Sequence, residues 1–376
     1  MAIILTVVMV AALLWWLLLL LPWQAWRCRE SLDAGADALQ EDLSGITVLI
    51  PARNEAATLG TVLAALAAQG RNINVVVVDD QSEDDTARLA RASGLPALKL
   101  VEGQAVPAGW SGKLWALEQG WRHVDTPYLL LLDADIRLAP GTVTALRRAM
   151  TRRQAQFVSL LAAPHLENFW ERLLMPTFVY FFKLLYPFAL SNGRSRRVAA
   201  AAGGCVLMQT RALQAIGGFA SIRGELIDDC ALARRIKAAG YRTWMGLTRS
   251  AVSLRRQALA SIWTMVARTA FTQLRYSTLL LLLATLVLVL AFWVPAAALA
   301  FSGAPRFLGL IALAGMLTSY IPTLRYYRLS PAWALALPLI GGLYLLMTWT
   351  SAISAWRGTA SRWKGRRYRH SARKLS

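Results

Sequence analysis

Val75-Val76-Val77-Val78-Asp79-Asp80 is a short β-branched run that ends in two carboxylates. A continuous apolar run of this length reads as a strand buried on both faces, the habit of parallel sheets. Tyr128 to Leu132 repeats the pattern and ends in Asp133-Ala134-Asp135. Ile46 to Ile50 and Phe157 to Leu161 look the same, and helical patterns near 55–69, 84–93, 112–122 and 140–152 follow or separate these runs. The alternation predicts an α/β domain over 44–250, doubly wound around a mostly parallel sheet. Ligands of such sheets sit beyond the carboxyl ends of the strands, so the acids after each run are where chemistry is expected.

Outside that span the composition changes. The 376 residues are 56% hydrophobic and only 16% charged, with 41 Lys and Arg against 21 Asp and Glu, a formal +20. The mean hydropathy of +0.42 is too high for an ordinary soluble enzyme. The excess of basic residues suits an anionic membrane face or phosphorylated substrates, with nucleic acid as the other class. Three scattered cysteines have neither a disulfide framework nor metal-ligand spacing.

Residues 1–26 carry no charged side chain, enough to span a hydrocarbon core of about 30 Å. Bulky Trp15, Trp16, Trp23 and Trp26 replace a cleavage site, so this reads as an anchor, and Arg27 and Arg29 place the next domain on the cytoplasmic side. Residues 276–356 hold three more uncharged runs, 276–305, 307–324 and 329–356, with a hairpin turn expected at Arg306. Counted straight through, the third run delivers the tail 357–376 to the far side. That tail holds eight Lys or Arg and no acid, against the positive-inside rule. The expected resolution is that one run fails to cross, the last being interrupted at Pro338 and Gly341-Gly342.

Several acids have both a chemical and a plain structural reading. Asp133-Ala134-Asp135 places alternate carboxylates past a strand, where they hold a hard divalent cation that in turn holds a diphosphate; the alternative is a helix cap or a solvated turn. Lys113 stands in a glycine-bearing loop that opens a helix, a meeting place for phosphate. GxGxxG and GxxxxGK[ST] are absent, which counts against a dinucleotide oxidoreductase and a P-loop NTPase. Asp228-Asp229 precedes a helical run and reads as a general base beside a second carboxylate, or as a helix cap.

The order Pro51-Ala52-Arg53-Asn54-Glu55, Asp79-Asp80, Asp133-Ala134-Asp135, Gly203-Gly204, Asp228-Asp229 resembles the family 2 glycosyltransferases of GT-A fold. Gly109 to Ala116, Phe169 to Leu174, Ala199 to Cys205 and Leu226 to Leu232 resemble the membrane-bound hopene-associated glycosyltransferases of bacteria. The resemblance implies a nucleotide-sugar donor, with Asp80 on the base, expected to be uracil, and Glu55 and Asp79 lining the nucleoside pocket. It implies Mg²⁺ or Mn²⁺ on Asp135, with Asp133 near the ribose or a metal-bound water, and Lys113 as a second cation. Asp229, with Asp228 beside it, would deprotonate the acceptor hydroxyl, inverting the anomeric configuration. Gln273-Leu274-Arg275-Tyr276 falls one residue short of the processive synthases' Gln-x-x-Arg-Trp, which argues against polymer synthesis; Arg275 is carried over as a diphosphate contact. Pro51-Ala52-Arg53 also replaces the family's more usual aromatic before Asn-Glu.

Residues 168–192, rich in aromatics and broken by Pro176 and Pro187, read as a helix or a pair of short helices in the membrane interface; a core helix of the α/β domain is the alternative. The segment 251–275 reads as a second interfacial helix. A lipid acceptor presented from the bilayer follows, hopanoid-related if the resemblance extends that far. The loop Arg194, Arg196, Arg197 suits a polyisoprenyl phosphate or an anionic headgroup, or is simply solvated. The tail reads as a clamp on an anionic bilayer surface rather than on nucleic acid. A scaffold that binds nucleotide without turnover is the non-enzymatic alternative.

Overall fold

The computed structural model describes residues 1–35, 41–196, 198–225 and 227–358, and the backbone of 361–363 and 366–368. It divides into two units, Arg29–His165 with Phe188–Arg256, and Met1–Cys28 with Leu166–Pro187 and Gln257–Ser376.

The first is an α/β unit around one eight-stranded sheet. Its strands are β1 (Ile46–Ala52), β2 (Asn74–Asp79), β3 (Leu98–Glu102), β4 (Tyr128–Leu132), β5 (Ile136–Leu138), β6 (Phe157–Ala163), β7 (Cys205–Gln209) and β8 (Thr243–Ser253), in the order β3-β2-β1-β4-β7-β6-β8-β5. β5 and β7 run against the other six, so the sheet is mixed and mostly parallel, as expected. Successive side chains of a strand point to opposite faces. Val48 and Ile50 accordingly enter one core with Leu63 and Leu146, while Leu49 enters the other with Leu117, Phe219 and Leu232. Both faces are covered, which is why the strands read as unbroken apolar runs. β3 escaped that reading because its residues are only partly buried, at the sheet's edge.

Numbered along the whole chain, the helices of this unit are α2 (Leu59–Ala67), α3 (Thr86–Arg91), α4 (Gly112–Trp121), α5 (Thr142–Arg153), α7 (Phe188–Ser191), α8 (Thr210–Ala215) and α9 (Asp228–Ala238). α4 presses on the sheet at Gly120, where a Cβ would stand 2.3 Å from Leu49 and 2.6 Å from Val78. Only glycine fits at that contact. β1 pairs with β2 on one side and β4 on the other, so the strand order reverses between β1 and β4 and opens a crevice at their carboxyl ends.

The second unit is helical: α1 (Ala2–Leu20), α6 (Phe169–Leu185), α10 (Leu259–Gln273), α11 (Thr278–Leu288), α12 (Val294–Ala297), α13 (Ala304–Tyr326) and α14 (Leu337–Trp356). Four stretches are long and apolar enough to cross a membrane: Ala2–Leu20, Thr278–Ala300, Ala304–Tyr326 and Pro331–Trp356. A π-helical turn, Val289–Trp293, joins α11 to α12 just before Pro295. Proline has no N–H for the carbonyl four residues back. The indole of Trp15 supplies a donor instead, 2.7 Å from the Ala291 carbonyl. The turn expected at Arg306 lies at Phe301–Gly303, and Arg306 is in the first turn of α13. Nor is the last run interrupted: Pro338 occupies the first turn of α14, where its missing N–H costs nothing, and the helix continues through Gly341-Gly342.

The segment from Phe169 forms two helices, 17-residue α6 and four-residue α7, separated at Tyr186-Pro187. Only α6 belongs to the helical unit. Asn168-x-x-Glu171 closes a reciprocal capping box at its start. Glu171 is fully buried and accepts from the backbone N–H groups of Glu167, Asn168 and Gln257, at 2.9, 3.1 and 2.7 Å, so one carboxylate anchors the start of α6 and the approach to α10. Farther along, buried Lys183 donates to the carbonyls of Trp26 and Arg27 and to Thr323, tying α6 to the chain after α1 and to α13. Interhelical hydrogen bonds of this kind, including Tyr180 with Ser319 and Thr177 with Tyr320, join these apolar helices. Replacing Glu171 by Ala is expected to cost about 1.5–3 kcal/mol, seen as a lower unfolding midpoint of the detergent-purified protein, with Glu171→Gln recovering part. An unchanged midpoint in Glu171→Ala would remove the carboxylate from this role.

Candidate active site

The crevice between β1 and β4 gathers most of the acids singled out in the sequence. After β4, Asp133 pairs with Lys113 at the start of α4, Oδ1 to Nζ 2.7 Å. Ser111 caps that helix by accepting from the Leu114 N–H, fixing where Lys113 projects. Asp229, in the first turn of α9, accepts from the Gly203 N–H at 2.9 Å and from the Cys230 N–H at 2.7 Å. A Cβ at Gly203 would lie 3.3 Å from the Asp229 Cβ, so a larger residue would press on that side chain. Asp228, Asp229, Asp133 and Lys113 share the rim of a small cavity of about 20 Å³, backed by Leu117, Leu131, Phe157, Phe219 and Leu232. Apolar backing of this kind penalises charge.

The titration of these groups follows. Burial would depress the Lys113 ammonium, but Asp133, Asp228 and Asp229 override it and hold the pKa above the ordinary lysine value. Burial first and the Asp228 charge second push the Asp229 carboxyl up to about 6, against the pull of Lys113 and the two backbone N–H groups. Asp135 is also raised, by burial, with Asp133 and Glu55 adding to the effect and Arg255 opposing it.

Arg255, just past β8, is a residue that sequence reasoning missed. Its Nε lies 3.0 Å from Asp135 Oδ2 and its Nη2 2.9 Å from Glu55 Oε1, so it bridges the ends of β1 and β4. The antiparallel pairing of β5 with β8 brings it there, and Ser253 adds a hydroxyl 3.4 Å from Asp135. An arginine 120 positions from its partner aspartate carries no local signal.

At the end of β2 the two neighbouring acids differ. Asp79 is half-buried and accepts from the Ser82 N–H, whereas Asp80 is 1% exposed. Arg53 reaches over both to the carbonyls of Asp80 and Gln81, at 2.6 and 3.2 Å. The turn after β1 is fastened to this loop by Asn54, which accepts from the Glu83 N–H, and by the Glu55 N–H, which donates to Thr86. Arg275 lies in the other unit, exposed in the turn after α10 with φ +52°, and Tyr276 beside it packs edge-on to Phe271. Arg194 and Arg196 are exposed, and Arg197 lies outside the described residues, as does Leu226.

Among the described residues no three His, Cys, Asp or Glu side chains converge to hold a metal by themselves. The donors at hand are the carboxylates of Asp133 and Asp135, each spending one oxygen on a cation. That set fits a hard ion such as Mg²⁺ or Mn²⁺ that takes one or two protein carboxylates and completes its shell from phosphate and water.

A family model described as "Glycosyltransferase like family 2" matches residues 44–272, more than half of the chain. A 4,4'-diaponeurosporenoate glycosyltransferase of Staphylococcus aureus (strain USA300) is 35% identical over 101 residues, 27% of this chain and 26% of that protein. The protein of the same name from strain N315 is 36% identical over 91 residues, 24% of each. The aligned stretch thus spans about a quarter of these relatives. Among solved structures, the mannosyltransferase PcManGT of Pyrobaculum calidifontis, in complex with GDP-Man and Mn²⁺, superposes with a TM-score of 0.55 at 20% identity, covering 91% of this chain and 99% of that one. This likeness extends the shared fold to nearly the whole chain. With its sheet order, its acidic crevice and the extent of the family match, the chain belongs to the family 2 glycosyltransferases.

Proposed function

We propose that this glycosyltransferase moves a sugar from a nucleotide-sugar donor, a uridine nucleotide first among them, to a membrane lipid, with inversion at the anomeric carbon. The observation that carries the reading is the cluster of Asp133, Asp135 and Asp229 with Lys113 and Arg255 at the switch in strand order. In a chain with four membrane-length helices, a lipid acceptor is within reach. The name of the staphylococcal relative, which refers to diaponeurosporenoate, agrees with an apolar acceptor. The resemblance to hopene-associated enzymes makes a hopanoid-related lipid the class to try first.

The assigned roles follow from chemistry. Asp229 takes the proton of the acceptor hydroxyl while that oxygen bonds to the anomeric carbon; the bond from that carbon to the diphosphate oxygen breaks, and the nucleoside diphosphate leaves with its electron pair. The two backbone N–H groups on Asp229 fix the carboxylate's orientation. Lys113 supplies a fixed positive charge toward the departing diphosphate. Glu55 and Asp79 line the nucleoside pocket and Asp80 is assigned to the base. A bound Mg²⁺ or Mn²⁺, held by Asp135 and Asp133, would act as a Lewis acid toward the diphosphate. Arg255, which holds Asp135 and Glu55, would add a second positive charge toward the same phosphates.

Two outcomes are expected. Asp229→Asn should lower turnover by about 10²–10⁴-fold, the span of a general base, while UDP still binds in calorimetry; turnover within a few fold of wild type would overturn the assignment. Because the carboxylate must be ionised to accept a proton, kcat/KM of the wild type should be flat above pH 7 and fall about tenfold per unit below pH 6. A profile that rises toward acid would contradict the base.

A further inference from the structure

β6 is apolar except for Ser159, which is fully buried. A hydroxyl in such a place costs free energy unless it is bonded. Side chains alternate along a strand, so Phe157 and Ser159 face the core that holds Leu232 and Ala233 of α9, while Val158 and Leu160 enter the other core. The register of β6 on β7 ends where Ser159 stands opposite Val206. In the segment before β7, the Ser159 Oγ takes both backbone groups of one residue. It accepts from the Ala202 N–H at 2.8 Å and donates to the Ala202 carbonyl at 2.9 Å.

The neighbours of Ala202 are held from other directions. The Cys230 thiol, in the first turn of α9, donates to the Ala201 carbonyl at 3.4 Å, and the Gly203 N–H donates to Asp229 Oδ2 at 2.9 Å. The Asp133 N–H donates to the Gly204 carbonyl at 3.1 Å. Residues 201–204 thus join β6, the end of β4 and the start of α9. The second donor to Asp229, the Cys230 N–H, belongs to the same helix and moves with it. The Gly203 N–H instead ties the carboxylate to a segment outside that helix. We infer that Ser159 is a positioning residue for Asp229: by fixing both backbone groups of Ala202 it keeps the Gly203 N–H on the carboxylate and so sets the carboxylate's direction. That Asp229 acts as a base rests on the function proposed above, whereas its placement by Ser159 rests on the hydrogen bonds alone.

The test compares detergent-purified full-length protein, wild type, Ser159→Ala and Ser159→Thr, treated with dicyclohexylcarbodiimide. This reagent attacks protonated carboxyl groups in apolar sites, and peptide mass spectrometry locates the modified residue. Lys113 and the N–H groups of Gly203 and Cys230 favour the ionised form of Asp229, against burial and the Asp228 charge. Loss of one such donor raises the protonated fraction. At pH 7 modification of Asp229 should therefore be about threefold or more faster in Ser159→Ala, and Ser159→Thr, which keeps the hydroxyl, should return to the wild-type rate. An unchanged rate in folded Ser159→Ala would overturn the positioning role. An equal rise at Asp80, buried just past β2, would show general loosening and overturn it as well. If the alanine variant does not fold, Ser159→Cys, of similar shape and with a weaker donor, makes the same comparison. Retained turnover in Asp229→Asn would overturn the function read from that aspartate, while the modification rates report on the contact itself.

Discussion

A carboxylate taken out of water must find a cation or a set of donors, and the α/β unit is organised around meeting that demand several times in one crevice. Asp133 has Lys113, Asp135 and Glu55 share Arg255, and Asp229 has two backbone N–H groups. Each partner is delivered by a different element: α4, the segment after β8, the loop before β7, and α9 itself. The sheet order matters because it brings those elements to one edge. Close packing at Gly120 and the cap at Ser111 then set where α4 can hold Lys113.

The balance of these charges is uneven in a useful way. Two cations face five acids around the crevice, so the pocket remains able to take further positive charge, and a divalent ion with its phosphates is the chemistry that fits. The same uneven balance leaves Asp229 above the usual carboxylate range, since its neighbour Asp228 opposes ionisation while Lys113 only partly compensates. A carboxylate held there is basic enough to accept a proton and still mostly ionised at neutral pH.

The helical unit solves a related problem with different means. Four of its stretches are long and apolar enough to cross a bilayer, where no hydrophobic drive would associate them, and its helices are joined by close approach and by hydrogen bonds. Glu171 and Lys183 are charged members of that network: Glu171 accepts from backbone N–H groups, and Lys183 donates to two backbone carbonyls and to Thr323. Residues 168–192 read as an interfacial surface in the sequence; in α6 Tyr180 is buried with eight non-aromatic residues, while Phe169 at its start is exposed.

Much of the fold was legible because its signals are local. Unbroken apolar runs gave β1, β2, β4 and β6, the acids after them marked the crevice, and membrane-length runs marked the helices. Strands β3, β5, β7 and β8 were not read: β3 is only partly buried, β5 has three residues, and Thr248, Arg249 and Ser250 interrupt the apolar run of β8. By itself, then, the sequence determined the α/β class, the family, the membrane-length helices and which acids follow the strands, all of which are written in runs of a few neighbouring residues. Only the tertiary structure decided that Arg255 bridges Glu55 and Asp135, that Gly203 holds Asp229, and that Ser159 holds Ala202. Those facts depend on pairing and direction between segments far apart in the chain, and neither hydropathy nor spacing carries the sign of a direction.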